Sequence, residues 1–358
     1  MASDSPLERR RKLDIMQAEM ELKAQEFHTY WDDIARLTLP RRIRLDITDA
    51  NKGDRRNLSI IDATASLAAR TLSSGMMTGV TSPARAWFKL KTSNEDLNGS
   101  PAVKEYFTTI EKRMRDAMLR TNLYNQLPVL YGDLGAFATA AVYMEEDSED
   151  VANFTTFPIG SYTIANDKKG RVRTFYREFQ MSVRQIVEKF GMNKMRPGVI
   201  DWTNISEFVK SQYEVGQKES MVDVCHFIQP NDRYNRRAVE SKFKRFESLY
   251  YEKGGSSQNS GLPASNSVPD KFLREMGYDY FPVMVVRWEV AGEDTWGTNS
   301  PGMMSLGDNK QLQHAEKRIA QALDQKVNPS MVGPTSLKTT RSSMIPGDIT
   351  YLDRKSVV

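Results

Sequence analysis

Cysteine is almost missing from this chain. Its 358 residues include one, Cys225, which excludes an intrachain disulfide and a multi-cysteine zinc site and suits a reducing compartment. Histidine is nearly as scarce. His28, His226 and His314 are the only three; none lies at a metal-ligand spacing from another, and no H-E-x-x-H occurs. There is no G-x-x-x-x-G-K-[ST] loop for nucleotide phosphates and no G-x-S-x-G nucleophile turn. Asp32 and Asp33 are neighbours on a helix pattern, so their carboxylates diverge. No apolar run approaches the roughly 20 residues that cross a bilayer, and the first residues, "MASDSPLERRRKLD", lack the apolar centre of an export signal. These absences predict a protein that is not an enzyme and has no cofactor, no metal and no membrane partner.

Charge is plentiful. Charged residues make up 27% and apolar ones 39%, and the mean hydropathy is -0.55. A core fits, but the surface must be polar or the shape elongated. Net charge is +4, too little for a dedicated DNA-wrapping protein. Basic clusters lie at 8–12, 40–44, 53–56 and 235–245. The last, with Tyr234, Phe243 and Phe246 interleaved, reads as part of a strand over 239–252. A non-specific DNA-binding module built on the basic strand 235–245 is therefore the alternative reading. A metal-dependent nuclease using the acidic run Glu145 to Asp150 is a weaker one. That run reads either as a solvated turn or as a hard-cation site.

The chain predicts an α+β fold. Ser5-Pro6-Leu7-Glu8 is a helix start with a capping box. The helix runs to Pro40, and its highly charged first half is expected to be exposed. An Ala-rich helix over 58–76 precedes a Gly/Pro turn and a short strand ending at Leu90. A helix from Ser100-Pro101 follows. Another over 123–137 bends near Pro128 and enters the strand "ATAAVYM". The period then changes to two, with a hairpin turn at Asn166 to Gly170, short helices near 182–191 and 203–213, and strands at 221–229, 239–252 and 281–290. Residues 254–270 have the composition of a flexible loop. "WGTNSPGMMSLGDNKQLQ" reads as a hinge into a last helix, 305–327, about 34 Å long. Its apolar residues, Leu312, Ala315, Ile319, Ala322 and Leu323, form a stripe too narrow to bury itself alone.

Four blocks together resemble the portal, or head-to-tail connector, proteins of short-tailed phages. They are "SLAARTLSSGMMTGVTSPARAWFKL", "NLYNQLPVLYGDLGAFATAAVYMEED", "FTTFPIGSYTIANDKKGRVRTFYREFQMSVRQIVEKFG" and "YFPVMVVRWEVAGEDTWGTNSPGMMSLGDNKQLQ", in family order from about residue 7 to 350. Family members tend to carry Tyr-Gly-Arg-Ser/Gly-Pro in the hinge. Here Trp296-Gly297-Thr298-Asn299-Ser300-Pro301 stands there without the arginine, so no role of that arginine carries over.

The resemblance implies a mixed helical and antiparallel-sheet wing body (1–304), a projecting stem helix (305–327) and the start of a clip (328–358). A second stem helix is missing, so the chain is expected to be C-terminally truncated relative to the family. The resemblance also implies a homo-oligomeric ring, expected to be a dodecamer, in the virion portal vertex and in the host cytoplasm during assembly. Its partners would be passing double-stranded DNA, terminase, scaffold and capsid proteins and a tail adaptor. By position in the stem and clip, Lys310, Lys317, Lys326, Lys338 and Arg341 are the candidate DNA-channel residues. Leu312, Ala315, Ile319 and Leu323 are the candidate subunit-packing residues.

Overall fold

The computed structural model describes residues 5–47, 53–147, 149–192, 199–253 and 272–327. The clip at 328–358, with Lys338 and Arg341, and the loop at 254–270 lie outside the described residues. Two compact units divide the chain between Lys310 and Gln311. The described part of the second is the greater length of the last helix.

Ser5 starts the first helix, α1 (Pro6–Leu37), through the expected capping box with Glu8. Most of the first half of α1 is exposed, as its charge predicts, but one face packs down. Arg10 and Leu13 are buried, at 4% and 3% exposure. Arg10 donates to the Glu252 carbonyl at 2.7 Å, and Arg9 reaches Glu247 and Glu275 at 3.1 and 3.2 Å. The charges are there to meet charges on a sheet, and a helical pattern cannot reveal such partners.

Four helices lead to the first strand: α2 (Thr64–Val80), α3 (Glu95–Gly99), α4 (Pro101–Arg120) and α5 (Leu123–Phe137). The expected short strand ending at Leu90 does not form. That segment is irregular, and the Leu90 N–H is taken by the Glu111 carboxylate at 2.6 Å instead of a neighbouring strand. Strands β1 (Thr139–Asp147), β2 (Val151–Phe157) and β8 (Val283–Arg287) form one antiparallel sheet in the order β2-β1-β8. Strands β3 (Tyr162–Asn166), β4 (Val172–Ser182), β5 (Met221–Pro230), β6 (Phe246–Glu252) and β7 (Arg274–Tyr278) form a second, in that order and also antiparallel. The short α6 (Val183–Ile186) continues as a wide turn, Val187–Gly191, and α7 (Glu207–Val215) packs beside it. The fold is α+β, as the switch of periodicity predicts.

The pairing also corrects the basic strand at 235–245. Those residues form a connection with one tight turn, Ser241–Phe243, and the ladder starts only at Phe246, opposite Pro230. The alternation in "SKFKRFESLYY" misleads because β6 is central and buried on both faces. Its two acids are bound: Glu247 by Arg9, and Glu252 by the Ser206 N–H and hydroxyl at 3.1 and 2.6 Å.

The hydrophobic core is layered. Leu13 and Met20 of α1 cover Tyr176, Cys225, Phe227, Leu249 and Tyr251 on one face of the five-stranded sheet. Val183, Ile186 and Val209 pack with Val224 and Tyr250. Leu123, Leu127, Leu130 and Leu134 of α5 cover Ala140, Val142 and Phe154 of the smaller sheet. Trp31 and Ile34 of α1 meet Phe137, Phe157, Tyr162, Phe175 and Trp296 where the sheets adjoin.

Val151, at the β1–β2 turn, has φ 72°, a region hostile to a β-branched side chain. Its side chain is 56% exposed, so little packing offsets the strain. Val151→Gly is therefore expected to raise stability by about 1 kcal/mol in urea denaturation. A loss of stability would show that the side chain is needed there.

Candidate functional site

The last helix, α9 (Leu306–Val327), is reached through the short α8 (Pro301–Met304). Ser300 caps α8 by accepting from the Met303 N–H at 3.3 Å, and Pro301 occupies its first position, where no N–H is needed. The bonds Ser305 N–H to Pro301 carbonyl and Asn309 N–H to Ser305 carbonyl, at 3.0 and 2.9 Å, carry the chain through Ser305 into α9.

The segment before α8 has the composition of a free hinge but is docked. Trp296 is 2% exposed and meets Trp31 edge-on at 4.7 Å. The Gly297 N–H donates to Thr139 Oγ1 at 2.8 Å, and the Ser300 hydroxyl donates to the Ala136 carbonyl at 2.9 Å. The Trp288 N–H donates to the Ala138 carbonyl at 2.8 Å. Asn299 takes a left-handed φ of 57°, which its short side chain tolerates, and donates to Glu289 at 3.2 Å. Residues 296–302 thus lie against the α5–β1 junction. The sequence reading missed the junction's side, Ala136 to Thr139, because a bend recipient made of alanines and one threonine carries no motif.

On α9, Ile319 and Leu323 are 53% and 57% exposed. Ala315 is exposed too, and Leu312 is half-buried. Lys310, Lys317 and Lys326 are all exposed, but they do not share a face. Lys310 and Lys317 lie within about 20° of one another and opposite the apolar stripe. Lys326 follows Ile319 by seven residues, so it lies on the stripe's own face. Lys310 is also tied to α1, with its Nζ 2.7 Å from Asp33 Oδ2. Asp32 pairs with Arg36 at 2.6 Å, so the two adjacent acids do diverge.

The remaining chemistry-bearing residues are held structurally. His226 is fully buried, stacks on Tyr250 at 3.9 Å and shares a 2.9 Å hydrogen bond with Ser248. Burial, with Arg177 and Lys189 nearby, pushes its pKa well down, so it is a neutral ring. Burial likewise lowers His28, against the pull of Glu21. The Glu145 to Asp150 run sits at the β1–β2 turn, where Glu145 lies 3.9 Å from Lys189. Among the described residues, no group of three or more His, Cys, Asp or Glu is arranged to hold a metal ion. No described helix is long and apolar enough to cross a membrane.

Helix α5 also carries one half of a buried pair that the sequence reading did not single out. Asp133 of α5 is 1% exposed. Arg42, from the 40–44 basic cluster, donates to it with Nε at 2.8 Å and also with Nη2. Burial pushes the Asp133 carboxyl up to about 6, against the pull of Arg42. What reads as a solvated cluster supplies the cation for a buried acid.

A family model described as "Bacteriophage head to tail connecting protein" matches residues 10–357. The chain belongs to that family. The chain is similar to the portal protein of Salmonella phage epsilon15, 44% identical over 336 residues, which cover 94% of this chain and 56% of that protein. It is also similar to the probable portal protein of Bordetella phage BPP-1, 36% identical over 335 residues, with the same coverage. The chain thus spans about half the length of the curated relatives it matches. The resemblance drawn from the four sequence blocks is borne out.

Proposed function

We propose that this chain is a structural, non-catalytic subunit of a phage portal ring, expected to be a dodecamer, that joins head to tail and lets double-stranded DNA pass. In this reading residues 1–304 are the wing body, 305–327 the stem helix and 328–358 the first part of the clip. Terminase, scaffold and capsid proteins and a tail adaptor are its partners at the virion portal vertex. The reading is carried by the 44% identity to a portal protein over 94% of the chain.

The surface of α9 supports it. The exposed Ile319 and Leu323 offer an apolar stripe of the width that packs on one neighbouring helix. Lys317 turns a charge to the other face, where a weak, non-specific phosphate contact would let DNA slide. Lys310 is a weaker channel candidate, since Asp33 already pairs with it.

Electron microscopy of the purified protein tests the reading, with closed rings around a central channel as the expected image. Ile319→Glu with Leu323→Glu should abolish the rings while changing the stability of the subunit by no more than about 0.5 kcal/mol, as exposed positions do. Lys317→Glu should leave rings intact and alter DNA packaging. Particles without a channel, or rings indifferent to the stripe substitutions, would defeat the stem assignment.

A further inference from the structure

We infer that Arg177, Lys189 and Arg274 form a binding site for one small phosphate-class oxyanion where the two sheets adjoin. The site is independent of the ring reading above.

Strand register places the cations together. Arg177 of β4 lies opposite His226 of β5, His226 opposite Tyr250 of β6, and Tyr250 opposite Arg274 of β7. Directly paired residues share a face, so these four form one row across the five-stranded sheet. With strands about 4.8 Å apart, the two arginines leave the backbone about 14 Å from each other, one on each side of the His226–Tyr250 pair. That pair is stacked at 3.9 Å. Lys189, from the wide turn, brings its Nζ to 5.2 Å from the centre of the Tyr250 ring. Strand β1 of the smaller sheet packs on the row. Its Tyr143 meets His226 edge-on at 5.7 Å and shares a 2.8 Å hydrogen bond with the Tyr278 hydroxyl.

The charges along this row do not balance. Among the described residues Arg177 and Arg274 form no ion pair, and the acid that reaches the cluster is Glu145, 3.9 Å from Lys189. Glu252, on the same face, is taken by Ser206. Arg177 stacks on aromatic faces instead, its guanidinium carbon 4.5 Å from the Phe157 ring centre and 4.1 Å from that of Phe179. Its Nε is sealed from solvent without a hydrogen-bond partner, and so is Nδ1 of the fully buried His226 in the same row. Burial lowers the pKa of Lys189; Glu145 pulls it back up, and Arg177 and Arg274 push it down again. Both arginine charges are thus felt at the ammonium. Like charges gathered under partial burial oppose folding unless an anion offsets them.

An oxyanion fits the donors better than a halide. A guanidinium fork offers paired N–H groups to two oxygens of one anion. A phosphate group carries about −1.5 to −2 charges near neutral pH, enough to balance what Glu145 leaves. Duplex DNA fits less well. Arg177, Lys189 and Arg274 are all half-buried, whereas a surface that tracks a phosphate backbone needs protruding charges.

Isothermal titration of the protein with inorganic phosphate, against sodium chloride at equal ionic strength, tests the site. One phosphate should bind saturably with a Kd of about 1 mM or less, and the unfolding temperature should rise with phosphate concentration. Lys189→Gln and Arg274→Gln should each weaken binding about tenfold or more. Glu145→Gln should tighten it about tenfold, because the competing carboxylate is gone. Side chains that only pack would not give opposite signs at Lys189 and Glu145. Glu145→Gln keeps the shape of a half-buried side chain, so that arm reads the site even where a cation variant fails to fold. No saturable binding beyond the chloride control, or binding that Glu145→Gln leaves unchanged or weakens, overturns the inference. Displacement of the phosphate by a short DNA duplex would make the cluster a nucleic-acid contact and overturn it as well.

Discussion

Gly297→Ala is expected to cost about 3 kcal/mol or more in denaturant unfolding, or to release the segment before the last helix. A Cβ there would lie 2.1 Å from the Ala138 carbonyl oxygen, 3.0 Å from its carbon and 3.1 Å from Thr139 Oγ1. The carbonyl cannot retreat cheaply. It accepts from the Trp288 N–H, and Ala138 itself ends α5 with a left-handed φ of 60°. Gly302→Ala should be nearly as harmful, since its Cβ would fall 2.6 Å from the Ala136 carbonyl that Ser300 already uses. Gly307→Ala supplies the control. It is helical with open space around it, so alanine should stabilise by about 0.5–1 kcal/mol. Equal, mild effects at all three positions would mean that residues 296–302 are not seated on the α5–β1 junction.

Arg42→Met is expected to destabilise the protein by an amount that grows with pH. The carboxyl of Asp133 has a folded-state pKa of about 6, above its ordinary value. The unfolded chain therefore releases this proton first. In the wild type, the contribution of Asp133 is most favourable below about pH 4, falls as pH rises toward 6, and is level above that, because Arg42 then pairs with the ion. Without Arg42 the folded-state pKa rises further, and the loss continues upward. The gap between variant and wild type should widen by about 1.4 kcal/mol per pH unit above pH 6, reaching roughly 3 kcal/mol at pH 8. Adding Asp133→Asn to Arg42→Met should remove the pH dependence. Urea denaturation at pH 5, 6.5 and 8 measures it, and a gap that stays constant over that range would refute the assignment.

Much of the architecture was legible because local signals act locally. The capping box at Ser5 and Glu8, the stop near Pro40, the Ser-Pro start at Ser100, the turn at Asn166 to Gly170 and the long last helix all follow from backbone chemistry within a few residues. The family was legible from the order of four blocks. The acidic run read as a turn between strands lies at one.

Other readings failed where a distant partner decides. Residues 239–245 alternate like a strand, but no neighbour offers a ladder until Phe246 meets Pro230. The charged start of α1 reads as solvated, yet the acids of β6 and β7 draw Arg9 inward. β7 was missed because it is short and pairs only with β6. The arginine cluster at 40–44 looks like surface until Asp133 arrives from 91 residues away.

The sequence by itself determined the helices, the turn chemistry, the family and the narrow stripe on the last helix, because each is written in periodicity, caps or residue order over a short span. Only the tertiary structure decided which charges are paired and that the glycine-rich approach to that helix is seated and buried. It also decided which of the helix's lysines share a face with the apolar stripe and which is tied to Asp33. Those outcomes depend on what lies opposite a residue in space, and a one-dimensional pattern carries no record of that when the partners are scores or hundreds of residues apart.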